Sequence, residues 1–310
     1  MTKPPTAPLA RPKLRKRIEP FRVKPGSDVK LESDFDPGFK EDFVAKSDAT
    51  SALAEGAAQL GEYQARLAAQ DTYAVLVVLQ AMDAAGKDGT IKHVLNGVNP
   101  QGVGVRSFKV PEPTELQHDF LWRYQCALPE RGSIGIFNRS HYEEVLVVRV
   151  HPDILDNQHL PAAAKKADVW KRRYREINDW ERYLVDNGVR IVKLFLHISK
   201  EEQRQRFLDR IDEPDKNWKF SVGDALERQH WDEYQHAYQQ MLCATSTRYA
   251  PWHVVPADHK WFARLAASWI ILDTLMDIDP QFPKVDPKTR EQLADIKKQL
   301  TAEAPKESKN

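Results

Sequence analysis

Five apolar stretches punctuate the chain. YAVLVVLQ at 73–80 is apolar along its length, as a strand covered on both faces should be. VGVRSFKV at 103–110 alternates and reads as a second strand, and SIGIFN at 133–138 as a third. VRIVKLFLHI at 189–198 and WHVVPA at 252–257 complete the set. Between them the period is helical. Residues 40–70 repeat Leu53, Leu60 and Leu67 on one helical face, and Thr90 to Leu95 opens a further helix. Helices are also predicted over 118–128, 165–187, 199–211, 221–243 and 259–277. Strands alternating with helices predict an α/β fold, with a mainly parallel sheet sandwiched by helices. In such sheets a ligand site lies beyond the C-terminal strand ends, which directs attention to 81–90 and 138–144.

Composition narrows the classes. The chain has 310 residues, 41% hydrophobic and 29% charged, enough for one large α/β domain with appendages. Its net charge of +1 argues against a wholesale nucleic-acid binder. No apolar stretch is long enough to cross a bilayer, and the N-terminus lacks the apolar core of a secretory signal. Cys126 and Cys243 stand far apart without metal-type spacing and read as buried free thiols of a reducing, cytoplasmic setting. Charge is uneven along the chain. Lys3, Arg11, Lys13, Arg15, Lys16, Arg17, Arg22 and Lys24 face only Glu19, in a proline-rich stretch. Residues 1–37 are therefore expected to form a basic arm that is poorly ordered alone. A catalytic domain is assigned to 38–283 and a charged tail to 284–310, with a solvated helix at 287–300. The apolar helices 118–128 and 259–277 suit core packing and a subunit contact alike, and a homo-oligomer is expected.

The first strand runs into MDAAGKDGT, residues 82–90. Glycine lets the backbone approach phosphate oxygens, successive amides form an anion nest, and the following helix adds its positive end. Ala84, Ala85, Gly86, Lys87, Asp88, Gly89 and Thr90 are thus candidate phosphate ligands, with Lys87 as the mobile cation. Asp83 is out of place in such a loop unless a divalent cation separates it from the phosphate. Mg²⁺ favours carboxylate, phosphate oxygen and water, so Asp83 is the first metal candidate. Its alternative is a turn cap.

IGIFNRSHYEE, 134–144, ends the third strand with Asn138 and Arg139. Arg139 offers a planar fork for phosphate oxygens. Glu143 lies one turn beyond Ser140, where it could face the same site as a second metal ligand. His141 fits no metal pattern and reads as a packing or hydrogen-bonding residue. Further on, Lys171, Arg172, Arg173 and Arg175 cover several faces of one helix. Arg206 and Arg210 share a helical face, and Lys216 and Lys219 flank Trp218 in a loop. This basic region, about 165–221, suits a lid closing on a polyanion.

Taken together, MDAAGKDGTIKHV, FNRSHYEEVLVVRVHP, KRRYREINDWERYL, QRFLDRIDEPDKNWKFS and APWHVVPADHKWFARLAAS resemble the polyphosphate kinase 2 family over roughly 40–278. The resemblance implies a P-loop kinase fold with a helical lid. It implies phosphoryl exchange between inorganic polyphosphate and AMP, ADP or ATP, with guanine nucleotides as further candidates. The implied cofactor is Mg²⁺, with Mn²⁺ as the alternative ion. By that resemblance Asp83 is the metal-binding loop aspartate, Lys87 the loop lysine, and Asn138 and Arg139 close the second motif. Arg206 and Arg210 fall in the lid-arginine segment. Asn138 stands where other members carry Asp. With Glu143, it resembles the branch that phosphorylates both nucleoside mono- and diphosphates. Two other readings use the same residues: a P-loop kinase passing a nucleoside triphosphate's phosphate to a small metabolite, and a non-enzymatic polyanion binder acting through its arm. The second gains nothing from the loop carboxylate.

Overall fold

The computed structural model describes residues 10–43, 46–166, 168–219 and 222–303. The chain opens with α1 (Arg11–Ile18), the single turn α2 (Leu31–Asp34) and the long α3 (Lys46–Gln70). Strand β1 (Ala74–Ala81) then leads into α4 (Lys87–Val94), and β2 (Val103–Ser107) into the short α5 (Trp122–Gln125). After β3 (Ile134–Asn138) come a 3₁₀ turn at His141–Val145 and the brief α6 (Val147–Val150) and α7 (Pro152–Asn157). Then follow α8 (Val169–Asp186), β4 (Val189–His197), α9 (Lys200–Asp212), α10 (Val222–Glu227) and α11 (Trp231–Thr245). Strand β5 (Trp252–Pro256), α12 (Lys260–Ile278) and α13 (Pro287–Ala302) complete the order.

The five strands form one sheet in the order β2-β3-β1-β4-β5, parallel at every pairing. The expected α/β sandwich is therefore present. All eight residues of β1 are buried, as befits the central strand, whereas β2 lies at an edge and is mostly exposed. The chain passes from β3 to β4 across β1, so the strand order reverses around the end of β1. That reversal opens a crevice beyond the carboxyl ends of the strands.

Helix α12 is apolar nearly all round and is buried accordingly, with Phe262, Leu265, Trp269 and Leu272 at 1% exposure or less. It packs against α3, α4 and α1. Its apolar surface is thus largely covered within the chain, with Trp261, Met276 and Ile278 only partly buried. Helix α8 packs on β4 and α11 and buries Ile177, Leu184 and Glu181, so its basic run belongs to the body of the molecule. The predicted 118–128 helix is instead a 3₁₀ turn at Glu115–Gln117 followed by one turn of α5. The second strand stops at Ser107, and the 221–243 helix is interrupted at Arg228–His230. Neither cysteine is fully buried: both are free, Cys126 exposed and Cys243 partly covered.

The largest departure concerns the basic arm. From residue 10 it is bound to the body. Leu14, Ile18, Phe21 and Val23 are buried, Val23 N donates to Trp252 O at 2.9 Å, and Phe21 meets Phe262 edge-on at 6.1 Å. Arg11 and Arg15 pair with Asp273 and Asp277 of α12, and Arg17 lies over the Trp269 ring at 4.9 Å. Arg11, Arg15 and Arg17 therefore serve intramolecular docking. The proline and charge content of the stretch masked four apolar residues at spacings of four, three and two. Leu14→Ala is expected to destabilise the fold by about 2–5 kcal/mol, read as a lower midpoint in urea unfolding.

Candidate active site

The crevice is floored by the segment that leaves β1. Ala84 has φ 61° and Gly86 φ 103°, both left-handed. Gly86 adopts this without a Cβ penalty, while Ala84 does so at a cost, the kind of strain that collects at working sites. The loop then enters α4, whose first amides have no intrahelical acceptor. Thr90 is buried at 4% exposure, its amide donating to Gly86 O at 2.9 Å, and Asp88 faces solvent.

Lys87 turns back onto the strand end. Its Nζ donates to Ala81 O at 2.8 Å and to Met82 O at 3.4 Å. Burial lowers the ammonium pKa, and the field of Asp83 opposes that fall. Asp83 Oδ1 accepts from Arg139 Nη2 at 3.3 Å. Arg139 is set by the sheet: β1 and β3 align Leu79 with Asn138, and Arg139 N donates to Leu79 O at 3.1 Å. Arg139 too is left-handed, at φ 63°. Burial acts to lower its pKa, but Glu143 and Asp83 raise it above the usual arginine value.

Glu143 lies in the 3₁₀ turn that Ser140 caps, Ser140 Oγ accepting from Tyr142 N at 3.3 Å. Its carboxyl pKa is pushed up by burial, against the pull of Arg139 and Lys87. Asp83, Glu143, Lys87 and Arg139 thus form one mutually charged cluster at the mouth of the loop. Asn138 stands beside it and donates through Nδ2 to Asp88 Oδ1 at 2.8 Å and to Ser107 Oγ at 3.3 Å. His141 is fully buried, against Glu181 at 3.4 Å, as a packing and hydrogen-bonding residue.

A cavity of about 1100 Å³ opens over the loop, lined also by Asn138, Arg139, Arg210, Lys260 and Arg264. Arg210 approaches Asp224 at 3.7 Å. The side chains of Lys216 and Lys219 lie outside the described residues. Arg206 borders the cavity but is only 3% exposed and is engaged with backbone carbonyls, so it is not a free lid cation. Three participants escaped the sequence reading: Gln80, Gln203 and Arg264. Gln80 is buried in β1 and donates to Ser140 Oγ at 3.0 Å. A lone amide ending an apolar strand was its available signal. Gln203 and Arg264 have no local signal, because Gln203 bonds a carbonyl 120 residues away and Arg264 meets the cavity beside Arg206 of another helix.

Among the described residues no cluster of three or more His, Cys, Asp or Glu side chains could by itself hold a metal ion. The site does contain oxygen donors suited to a hard cation: the Asp83 and Glu143 carboxylates, and the buried Gln80 Oε1 and Asn138 Oδ1, neither with a protein partner. These residues fit Mg²⁺, which needs few protein ligands when phosphate and water supply the others.

Residues 44–283 match the family model described as Polyphosphate kinase 2. The chain belongs to the polyphosphate kinase 2 family. It is 54% identical over 243 residues to an ADP-polyphosphate phosphotransferase of Rhodopseudomonas palustris, covering 78% of this chain and 84% of that one. It is 47% identical to an AMP/ADP-polyphosphate phosphotransferase of Meiothermus ruber, over 86% of this chain and 96% of the relative. The crystal structure of polyphosphate kinase 2 from Arthrobacter aurescens superposes with a TM-score of 0.79 at 41% identity, covering 88% and 94% of the two chains. The motif resemblance is borne out, and so are the α/β kinase fold and the enzyme class. As a polyphosphate kinase 2 member, this protein is a polyphosphate–nucleotide phosphotransferase.

Proposed function

We propose that the enzyme transfers the terminal phosphoryl group of inorganic polyphosphate to AMP and to ADP, reversibly and with Mg²⁺. The observation that carries this reading is the cluster of Asp83, Glu143, Lys87 and Arg139 at the mouth of a left-handed anion-binding loop. Acceptance of both nucleotides is supported by the Meiothermus relative's name and by the motif resemblance that Asn138 and Glu143 carry.

The chemistry must bring two polyanions together. At 4 Å and an effective dielectric of 20, each unit-charge repulsion costs about 4 kcal/mol. Fixed cations offset it. Transfer needs in-line alignment and charge stabilisation, with no covalent enzyme intermediate. The loop amides of Ala84, Gly86, Lys87, Asp88 and Gly89 cradle phosphate oxygens, while those of Ala85 and Thr90 are bonded to Met82 O and Gly86 O. Lys87 exchanges two neutral carbonyls for charged oxygens when phosphate arrives. Arg139, held by Asp83, presents its fork to the group in flight. Mg²⁺, when bound through Asp83 and Glu143, would neutralise phosphate charge and draw electron density from the transferring group. Arg210, Lys216 and Lys219 serve as the lid cations. Arg264 extends the track for the chain: burial and the neighbouring Arg206 lower its pKa, so an anion is the natural occupant beside it.

A donor–acceptor panel tests this reading. Polyphosphate or ATP is offered as sole donor to AMP, ADP, GMP and GDP, with and without Mg²⁺, using wild type and Asp83→Asn. ADP and then ATP are expected from AMP and polyphosphate, only with the metal, and Asp83→Asn is expected to lose the metal response while remaining folded. Product formed from ATP alone would replace this reading with an ordinary nucleotide kinase. An unchanged metal titration in the variant would remove Asp83 from the metal site.

A further inference from the structure

Helix α9 treats the loop in an unusual way. Three consecutive loop carbonyls are bonded by two of its side chains. Gln203 Nε2 donates to Asp83 O at 3.0 Å, and Arg206 Nη1 donates to Ala84 O and Ala85 O, each at 3.0 Å. The other arm of the same guanidinium holds the end of β5: Nη2 donates to Ala257 O at 2.6 Å and Asp258 O at 3.0 Å. Its Nε donates to Glu202 Oε1 at 2.8 Å, which neutralises the charge within α9. Gln203 is oriented in turn, because its Oε1 accepts from Arg228 Nη1 at 2.8 Å. Both side chains are buried, at 1% and 3% exposure.

An arginine has five N–H donors, and here both terminal nitrogens and Nε are engaged with protein oxygens. Little capacity remains for gripping a substrate chain. The consequence for the loop follows from the planar trans peptide, in which C=O and the next N–H point opposite ways. Fixing the carbonyls of Asp83, Ala84 and Ala85 therefore fixes the amides of Ala84, Ala85 and Gly86. Ala85 N closes the turn on Met82 O at 3.3 Å. The amides of Ala84 and Gly86 are turned away from α9. The same bonds hold Ala84 in its costly left-handed conformation.

We propose that Gln203 and Arg206 are positioning residues that preorganise the phosphate cradle, with Arg206 bracing the loop against the end of β5. Neither touches the substrate. This rests on the loop being the phosphate site, as argued above, and its test uses binding as well as turnover so that the two readings can fail separately.

The experiment compares full-length wild type, Arg206→Lys and Gln203→Met in four measurements: kcat, KM for polyphosphate, affinity for tripolyphosphate by calorimetry, and thermal midpoint. Lysine keeps the charge but cannot reach four carbonyls, and methionine keeps the size but donates nothing. Both variants are expected to lose about a hundredfold in kcat, as when one preorganised donor is lost. Tripolyphosphate affinity should fall, and KM for polyphosphate should rise by no more than that affinity falls. Arg206→Ala should regain rate on adding guanidinium but not urea, without a matching rise in midpoint, a response that a merely stabilising residue would not give. Wild-type kcat and tripolyphosphate affinity in Arg206→Lys would overturn the proposal, as would a raised KM at unchanged kcat, the mark of direct contact. If Arg206 variants fail to fold, Gln203→Met decides alone on the same criteria. If wild type binds tripolyphosphate but transfers nothing, and the variants bind it more weakly, the functional reading falls and the positioning role stands.

Discussion

Lys87→Ala is expected to lower kcat by about 10²–10³-fold, the loss found when one preorganised donor to a developing charge is removed. The side chain is half-buried, and its ammonium makes only two bonds, both to uncharged carbonyls at the end of β1. Desolvating a cation for such partners is unfavourable, as the lowered pKa records. The fold therefore gains little from Lys87, and the thermal midpoint of the alanine variant should match or exceed that of wild type. Under the proposed function, the interaction that justifies the burial is the one made with phosphate. Because it strengthens as charge moves to the transferring group, its loss should appear in kcat more than in KM. The measurement is a saturating rate with polyphosphate and ADP, beside a melting curve. A variant within tenfold of the wild-type rate would place Lys87 outside the transfer step. A variant that simply unfolds would show the lysine to be structural.

The elements most legible from sequence were those whose burial is complete or strictly periodic. The apolar run of β1 and the Gly-Lys turn after it gave both the central strand and the mouth of the site. Asp83, Lys87, Arg139 and Glu143 stood out because each lies within a few residues of a strand end, where local pattern suffices. What escaped notice depends on contacts remote in sequence. Helix α1 and the turn after it were hidden because the helix finds its partner on α12, and the turn and Val23 find theirs on β5, more than 200 residues away. Arg206 was noticed, but for its charge. Its work is done by geometry, through carbonyls of two distant segments, and backbone acceptors leave no trace in side-chain identity. The same holds for Gln203. The cysteines were misjudged because a preference for burial is an average, and Cys126 sits just past a single exposed turn.

Behind the site lies a second, fully buried charge system, and Lys193→Met is expected to destabilise the enzyme by about 3–5 kcal/mol. Lys193 Nζ has three acceptors for its three protons: Glu181 Oε2 at 2.6 Å, Thr245 O at 2.7 Å and Tyr142 OH at 2.9 Å. Tyr142 OH donates onward to Glu181 Oε1 at 2.7 Å. Lys193 and Glu181 are both at zero exposure. Burial lowers the lysine pKa and acts to raise that of Glu181. Lys193 and His141 more than offset the latter, so the carboxylate is held below its usual range. Methionine matches the stem of the lysine but leaves the carboxylate unpaired in the core. Urea unfolding should show the full loss, and adding Glu181→Leu should recover most of it, since a buried pair replaced by apolar groups is often neutral. The effect should reach the chemistry as well. Tyr142 adjoins Glu143 in the Ser140-capped turn, so loosening the network frees the carboxylate that faces Lys87 and Arg139. In the double variant, stability should therefore return further than kcat does. Equal recovery of both would show that the network holds the fold alone and leaves Glu143 to be positioned by Ser140 and Gln80.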